Sequence, residues 1–279
     1  MKEGRSATAV RAAMRRAAHQ LWDEPRIFSD QHAVRLIAGL GGAAISRSGP
    51  CWQPSIVKSN RALLAVRARF AEDVLADAVA DGVRQFCILG AGLDTFSCRN
   101  SYEAQGLRIF EVDHPASQAW KLELLSKAGL QSSAIFVPVD FERQELSAEL
   151  RSSGLNLEAP ALFSCLGVAS YLAEETFFGI LGLVRSFPGG SGIVFDFPTP
   201  DSHLSFSERM VRRVVSFKLA LQGEPAKTRF DPGALAASLT GLGFETTMLD
   251  AGAINSRYFM GRTDGLRMSN RSVLVHASV

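Results

Sequence analysis

A doubly wound, mostly parallel α/β sheet preceded by a helical N-terminal segment is the fold this sequence predicts. Three observations carry that prediction. Apolar runs such as Gln85-Phe86-Cys87-Ile88-Leu89 and Gly192-Ile193-Val194-Phe195-Asp196-Phe197 are nearly continuous, as strands buried on both faces require. They alternate with segments of helical periodicity, the pattern of strand–helix–strand units. The first run ends on Gly90-Ala91-Gly92, and ligands of open parallel sheets bind beyond the carboxyl ends of the strands.

Residues 1–60 read as an N-terminal helical lid and loop. Ala7 to Leu21 sets small and apolar residues between arginines at helical spacing, and Pro25 with Phe28-Ser29-Asp30 ends it. Gln31 to Leu40 reads as a second short helix, closed by Gly41-Gly42. Arg47 to Asn60, rich in Ser, Gly and Pro, reads as a loop. Residues 61–279 read as the main domain. Arg61 to Ala80 predicts a long helix, with Leu64, Phe70, Val74, Leu75 and Ala78 on one buried face. Strands follow at Gln85–Leu89, Leu107–Val112, Ile135–Val139, Ala161–Ser164 and Gly192–Phe197, separated by helices at Ser117–Ala128 and Glu174–Ser186. Pro138 has no N–H for the ladder, which confines it to a strand end or an edge. A helical insertion near 203–223 interrupts the alternation. Helix Pro232–Leu239 and strands Phe244–Met248 and Ser272–His276 complete it.

Composition narrows the functional classes. The chain has 279 residues and a net charge of +2, from 30 basic and 28 acidic residues. That balance gives no electrostatic argument for nucleic acid or a membrane surface as partner. The four cysteines, Cys51, Cys87, Cys98 and Cys165, lack metal-ligand spacing, so no metal site is expected. The N-terminus lacks an apolar signal core, and no run approaches the roughly 20 apolar residues of a membrane span. A reducing, cytoplasmic setting is expected.

The glycine turn continues as Leu93-Asp94-Thr95. A GxG turn alone suits a dinucleotide, an S-adenosyl ligand or a tight turn. Thr95 stands where the third glycine of GxGxxG would be, and Asp94 would lie beside a pyrophosphate, which is unfavourable. Beside a cationic methionine moiety the same carboxylate is favourable. The second strand ends Glu111-Val112-Asp113-His114-Pro115. Asp113 is positioned to accept from ribose hydroxyls; its alternative is a cap on the following helix. Asp140, after the third strand, reads either as an adenine contact or as a turn residue.

Leu89 to Thr95, Phe110-Glu111-Val112-Asp113-His114-Pro115 and Pro138-Val139-Asp140-Phe141 together resemble the leucine carboxyl methyltransferase family, in its bacterial S-adenosylmethionine-dependent branch. The likeness extends to Phe28-Ser29-Asp30, Arg67-Ala68-Arg69-Phe70, Gly167 with Tyr171-Leu172, Gly223-Glu224-Pro225 and Arg257-Tyr258. It implies a class I methyltransferase fold, with S-adenosyl-L-methionine as cofactor and S-adenosyl-L-homocysteine as product. It also implies Arg67 at the methionine carboxylate, Gly90, Ala91, Gly92 and Asp94 in the turn, Asp113 at the ribose, and Asp140 with Phe141 at the adenine; His114, next to Asp113, is a further cofactor-site candidate. Arg61 and Arg69 compete with Arg67 by position. Where the family often has a glutamate before the glycine matching Gly167, this chain has Leu166.

A carboxylate acceptor is already ionised at neutral pH and needs no general base, whereas an alcohol usually does. None of the five histidines falls in a pattern that marks a base. The absence of a base favours carboxyl O-methylation, which the resemblance also implies, and the resemblance to the bacterial branch implies a small-molecule carboxylate as the acceptor. Tyr171 is a candidate to orient the acceptor, with Arg257 and Tyr258 as further substrate contacts; each reads equally as a packing or surface residue. The lid and the insertion are expected to fold over the cofactor and shape the acceptor pocket. The alternatives are a protein C-terminal carboxyl methyltransferase, an NAD-dependent oxidoreductase and a non-catalytic member of the fold.

Overall fold

The computed structural model describes residues 6–40, 45, 49, 52–221 and 226–279. Gly41-Gly42, Cys51 and Gly223-Glu224-Pro225 lie outside the described residues. Helices α1 (Ala7–Trp22), α2 (Gln31–Ala38) and α3 (Ser55–Ala80) precede the sheet. Then come β1 (Gln85–Leu89), β2 (Arg108–Asp113), α4 (Pro115–Ala128), β3 (Ala134–Pro138), α5 (Leu146–Ser152), β4 (Leu162–Cys165), α6 (Glu174–Arg185) and β5 (Gly192–Pro198). The chain closes with α7 (Phe206–Leu221), α8 (Pro232–Gly241), β6 (Glu245–Leu249), α9 (Ala251–Tyr258) and β7 (Ser272–Ser278).

The seven strands lie in the order β3-β2-β1-β4-β5-β7-β6. β1 to β5 are mutually parallel, and β7 runs antiparallel to both β5 and β6. This is the doubly wound, mostly parallel sheet that the sequence predicts. Pro138 ends β3, the edge strand, where its missing N–H disturbs no central ladder.

Both faces of the sheet are covered. On one, Phe110, Phe163, Phe195 and Phe197 pack with Phe177 of α6 and with Phe230. Phe177 meets Phe195 at 5.2 Å and Phe230 at 5.3 Å between ring centroids, distances at which aromatic pairs attract. On the other face Phe86, Ile88 and Ile109 pack on Ala62, Ala65, Phe70 and Leu75 of α3 and on Ile254 of α9. A third cluster joins Ala13 and Ala17 of α1, Leu36 of α2, Leu93 of the glycine turn and Trp120 and Leu124 of α4. The N-terminal helices are thus part of the packed core.

The long helix starts at Ser55, inside the stretch read as a loop. Pro54 opens it, its carbonyl accepting from the Val57 and Lys58 N–H groups at 2.9 and 3.2 Å. The polar residues that made this stretch look irregular have tertiary partners. Ser59 Oγ donates to Ser269 Oγ at 2.9 Å, and Asn60 Oδ1 accepts from Arg271 at 3.0 Å. Helices α5 and α9 had no counterpart in the sequence reading. At 7 and 8 residues they give little periodic signal, and unlike α2 they are not followed by a Gly-Gly stop, although Asp250 caps α9 through the Ala253 N–H at 2.8 Å.

Candidate active site

A cavity of about 990 Å³ opens at the carboxyl ends of β1 to β4. Its walls come from the turns after those strands, the start of α3 and one side of α7 through Arg212, Val215 and Ser216. Side chains of α1, from Thr8 to Arg16, form its roof.

The floor is the glycine turn. Gly90 and Gly92 have φ of 65° and 50°, the left-handed region that favours glycine. A Cβ at Gly90 would overlap Val168, so this position is closed to side chains for two reasons. The Gly90 and Ala91 N–H groups donate to the Val112 carbonyl at 2.8 and 3.1 Å, tying the turn to β2. Asp113 completes the tie. Its Oδ2 accepts from Gly92 N–H at 2.5 Å and its Oδ1 from His114 N–H at 2.7 Å. Burial raises the Asp113 carboxyl above its ordinary pKa, partly offset by those two donors. The helix-cap role belongs instead to His114, whose Nδ1 accepts from Ala116 N–H at 3.2 Å. Glu111 points away from the site, fully buried against Lys121 and Ser97.

Asp94 lines the cavity, but its charge is already answered. Its Oδ2 accepts from Arg16 Nη1 at 2.8 Å and its Oδ1 from Phe96 N–H at 2.7 Å. Burial alone would raise this carboxyl; the Arg16 guanidinium, helped by Lys121 and Arg99, outweighs it and holds the pKa at about 2. The cation beside Asp94 is therefore the protein's own. Arg16 also reaches Asp30 at 2.6 Å and Thr95 Oγ1 at 2.7 Å, and Thr95 donates to Asp30 at 2.7 Å. Arg16, Asp30 and Thr95 are all buried. This network bolts α1 and the start of α2 onto the glycine turn. Sequence reasoning missed it, although Phe28-Ser29-Asp30 and Thr95 had both been singled out.

Of the competing arginines, only Arg67 lines the cavity. Arg61 is buried and grips both Asp23 oxygens at 2.7 and 2.8 Å, while Arg69 pairs with Asp73 at 2.6 Å. Arg67 lies across Gly167, where an added Cβ would overlap its guanidinium, and its Nη1 is 3.6 Å from Asp196 Oδ2. Asp196 Oδ1 accepts from Gly167 N–H. Next to Leu166, a carboxylate from β5 thus stands at the β4 turn. The sequence carried a signal for it, since the otherwise apolar β5 run holds an acidic residue near its end.

Asp140 and Phe141 line the cavity after β3. Asp140 Oδ1 accepts from Glu142 N–H at 3.1 Å, so it acts as a turn residue as well. Tyr171 lines the cavity from the short 3-10 turn Ala169–Tyr171. Arg257 and Tyr258, expected as substrate contacts, are not cavity residues. They sit on α9, where Tyr258 Oη bonds Asp73 at 2.9 Å and Arg257 lies 3.5 Å from the same carboxylate. The reason is topological: α9 follows β6 and packs on the sheet face that α3 covers. The sequence reading also overlooked the basic lining residues Arg15, Arg212, Lys227, Arg229 and Arg271.

Among the described residues no cluster of His, Cys, Asp and Glu has the geometry to hold a metal ion, and no helix is long and apolar enough to cross a membrane.

Comparison with known proteins gives this geometry its context. The family model for leucine carboxyl methyltransferase matches residues 9–184. A Bacillus subtilis protein named "Putative S-adenosyl-L-methionine-dependent methyltransferase YktD" is 32% identical over 304 residues, covering 99% of this chain and 98% of the relative. A Mycolicibacterium smegmatis protein bearing the same description is 30% identical over 223 residues, 76% of this chain and 69% of the relative. Among solved structures, a DUF574 family protein from Streptomyces avermitilis has a TM-score of 0.58 at 18% identity, covering 90% of this chain and 97% of that one. A methyltransferase-like structure from Thermobifida fusca has a TM-score of 0.53 at 15% identity, covering 95% and 94%. These two likenesses concern the fold, which is the Rossmann-like class I methyltransferase fold. The matched segment runs from the roof helix through the glycine turn, Asp113 and the β4 turn to α6, and by that match the chain belongs to the leucine carboxyl methyltransferase family.

Proposed function

We propose that this chain transfers the methyl group of S-adenosyl-L-methionine to a carboxylate oxygen of a small acidic molecule, with α1 acting as a lid over the cofactor. The coarser statement, that it is an S-adenosylmethionine-dependent methyltransferase, rests on the family and on a relative matched end to end. The residues fit that cofactor. Asp113 is fixed by two backbone donors and keeps acceptor capacity on the cavity side for a ribose diol. Arg67, a cavity arginine beside the β4 turn, offers a fork for the methionine carboxylate. Asp140 and Phe141 offer a polar edge and an aromatic face for adenine. When bound, the cofactor supplies an electrophilic methyl on a sulfonium. The protein's own contribution is to bind, align and desolvate the acceptor beside it.

One observation carries the choice of a carboxylate acceptor: the cavity beyond the glycine turn is lined by Arg15, Arg212, Lys227, Arg229 and Arg271. A basic wall favours an acidic molecule as occupant, and an ionised carboxylate needs no base to be nucleophilic. Among the described residues the one histidine lining the cavity is His114, and it is engaged at Nδ1 as the cap of α4. Tyr171 is placed to orient the acceptor. The test is to incubate the protein with the methyl-labelled cofactor and a panel of carboxylic acids, alcohols and phenols. Base-labile methyl esters support the reading. Transfer to hydroxyl acceptors alone refutes it.

A further inference from the structure

Most cations on the acceptor side of the cavity have a carboxylate of their own. Arg212 lies 2.9 Å from Asp201 Oδ1, Arg229 lies 3.5 Å from its Oδ2, and Lys227 lies 2.8 Å from Glu142. Arg67 is 3.6 Å from Asp196. Arg15 and Arg271 differ. Among the described residues neither makes a salt bridge, although both are half-buried and line the cavity. Arg271 Nη1 donates to Asn60 at 3.0 Å, while its buried Nε has no hydrogen-bond partner. The acidic group nearest to it in effect, Glu208, is already held by Ser205 Oγ at 2.8 Å.

The two arginines belong to one electrostatic cluster. Burial, followed by the repulsion of Arg212, lowers the pKa of Arg271, and Arg15 adds to this. Burial, followed by the repulsion of Arg11 and Arg67, does the same to Arg15. Both stay charged at any physiological pH. Like charges gathered in a partly desolvated cavity repel one another, and a ligand anion placed between them removes that cost.

If the cavity methylates a carboxylate, as proposed above, the reacting carboxylate is poorly suited to fill this gap. In the transfer an oxygen lone pair forms the C–O bond as the C–S bond breaks with its electron pair going to sulfur. Anion and sulfonium neutralise each other, and no proton moves. A guanidinium clamp on the attacking oxygens would stabilise the charged ground state more than the transition state and slow the reaction. A clamp on a spectator anion carries no such penalty. Arg15 of the roof helix and Arg271 just before β7 line the same cavity with no carboxylate partner among the described residues, and we infer that they form an anion subsite for a second, non-reacting carboxylate, so that the acceptor is a dicarboxylic acid.

The test uses the full chain saturated with S-adenosylhomocysteine. Unbranched α,ω-dicarboxylates from butanedioate to decanedioate, and the monocarboxylates of equal length, are titrated by calorimetry. At least one dicarboxylate should bind about tenfold or more tightly than its monocarboxylate, the scale of one added charge-assisted contact. Arg271→Gln and Arg15→Gln should each erase most of that advantage, and Arg271→Lys should restore part of it. The affinity of each variant for S-adenosylhomocysteine reports that it is folded. Equal binding of mono- and dicarboxylates across the series, or an advantage that survives both glutamine variants, overturns the subsite. Methyl esters formed equally well on both series overturn the subsite yet leave carboxyl methylation standing. Arginine-dependent dicarboxylate binding with no ester formed does the reverse.

Discussion

Replacing Arg16 by Met tests the assertion that α1 is bolted to the glycine turn by charge. The substitution keeps an apolar stem of similar length and deletes the guanidinium. Bonds of 2.6, 2.7 and 2.8 Å to Asp30, Thr95 and Asp94 are lost together. The Arg16 side chain is 9% exposed and that of Asp30 0%, so water screens the interaction little. Breaking one side of a buried pair costs roughly 3–5 kcal/mol, because the remaining charge is stranded. Here the low end applies. Asp30 keeps Thr95, with Arg99 at 3.6 Å, and the Asp94 side chain is 22% exposed. A loss of about 3 kcal/mol lowers the urea midpoint by roughly 1 M, for a slope of about 3 kcal/mol/M. The diagnostic arm is Asp30→Asn in the Arg16→Met background. Asn still caps α2 through the Ala33 N–H, but it strands no charge. The double variant should recover about 1–2 kcal/mol relative to additivity, a coupling well above the usual scatter of about 0.5 kcal/mol. Equilibrium unfolding of the four proteins followed by circular dichroism measures it. A midpoint shift under about 0.3 M, or strict additivity, would show that the network is ornamental and that apolar packing alone holds α1.

Further outcomes follow from the same geometry. Asp94, held at about 2 against an ordinary value of 3.8, contributes stability that is complete above pH 4. As its folded-state pKa lies below the unfolded one, this contribution, about 2 kcal/mol, disappears as pH falls from about 4 to 2. Asp94→Asn should flatten that part of an acid-unfolding curve, and an unchanged slope would locate the acid sensitivity elsewhere. Asp113→Ala should weaken S-adenosylhomocysteine binding by about 1–3 kcal/mol in calorimetry, since both a ligand acceptor and the tie to Gly92 are lost; unaltered affinity would move the ribose site. Gly167→Ala should mimic part of an Arg67→Ala defect in cofactor affinity, because the new methyl group displaces the guanidinium and Gly167 sits at φ 70°. Arg61→Met should behave oppositely to Arg67→Met. The first strands buried Asp23 and lowers the unfolding midpoint, and the second spares stability but loosens the cofactor; equal effects on both readouts would erase the distinction.

The sheet was legible because its strands are buried on both faces and therefore spell near-continuous apolar runs. Pro138 marked a strand end or an edge, and it stands at both. Elements whose polar residues have distant partners were not legible. Ser59 and Asn60 looked like loop because nothing local reveals that Ser269 and Arg271, some two hundred residues on, take their hydrogen bonds. The turn residues Gly90 to Gly92 and Asp113 were readable because backbone conformation and strand ends dictate them. That Asp94 also pairs with Arg16 was not legible, because Arg16 lies 78 positions away. Arg257 and Tyr258 were misplaced for a related reason. Proximity to the cavity depends on which sheet face a short helix packs against, and a periodicity too short to detect cannot say.

The roof of the cavity is also a load-sharing piece of the core. Ala17 of α1 is wholly buried and Ala13 nearly so, and the same helix turns Thr8, Arg15 and other residues toward the ligand space. Binding and folding of the N-terminus are therefore linked equilibria. A ligand that needs the docked helix, present at a hundred times its dissociation constant, would stabilise the binding-competent state as a whole by about 2.7 kcal/mol. Protease sensitivity near residues 23–30 would then serve as a gauge of cofactor occupancy. A tag or truncation that disturbs the first helix would register in the test tube as a loss of affinity before it registered as a loss of fold.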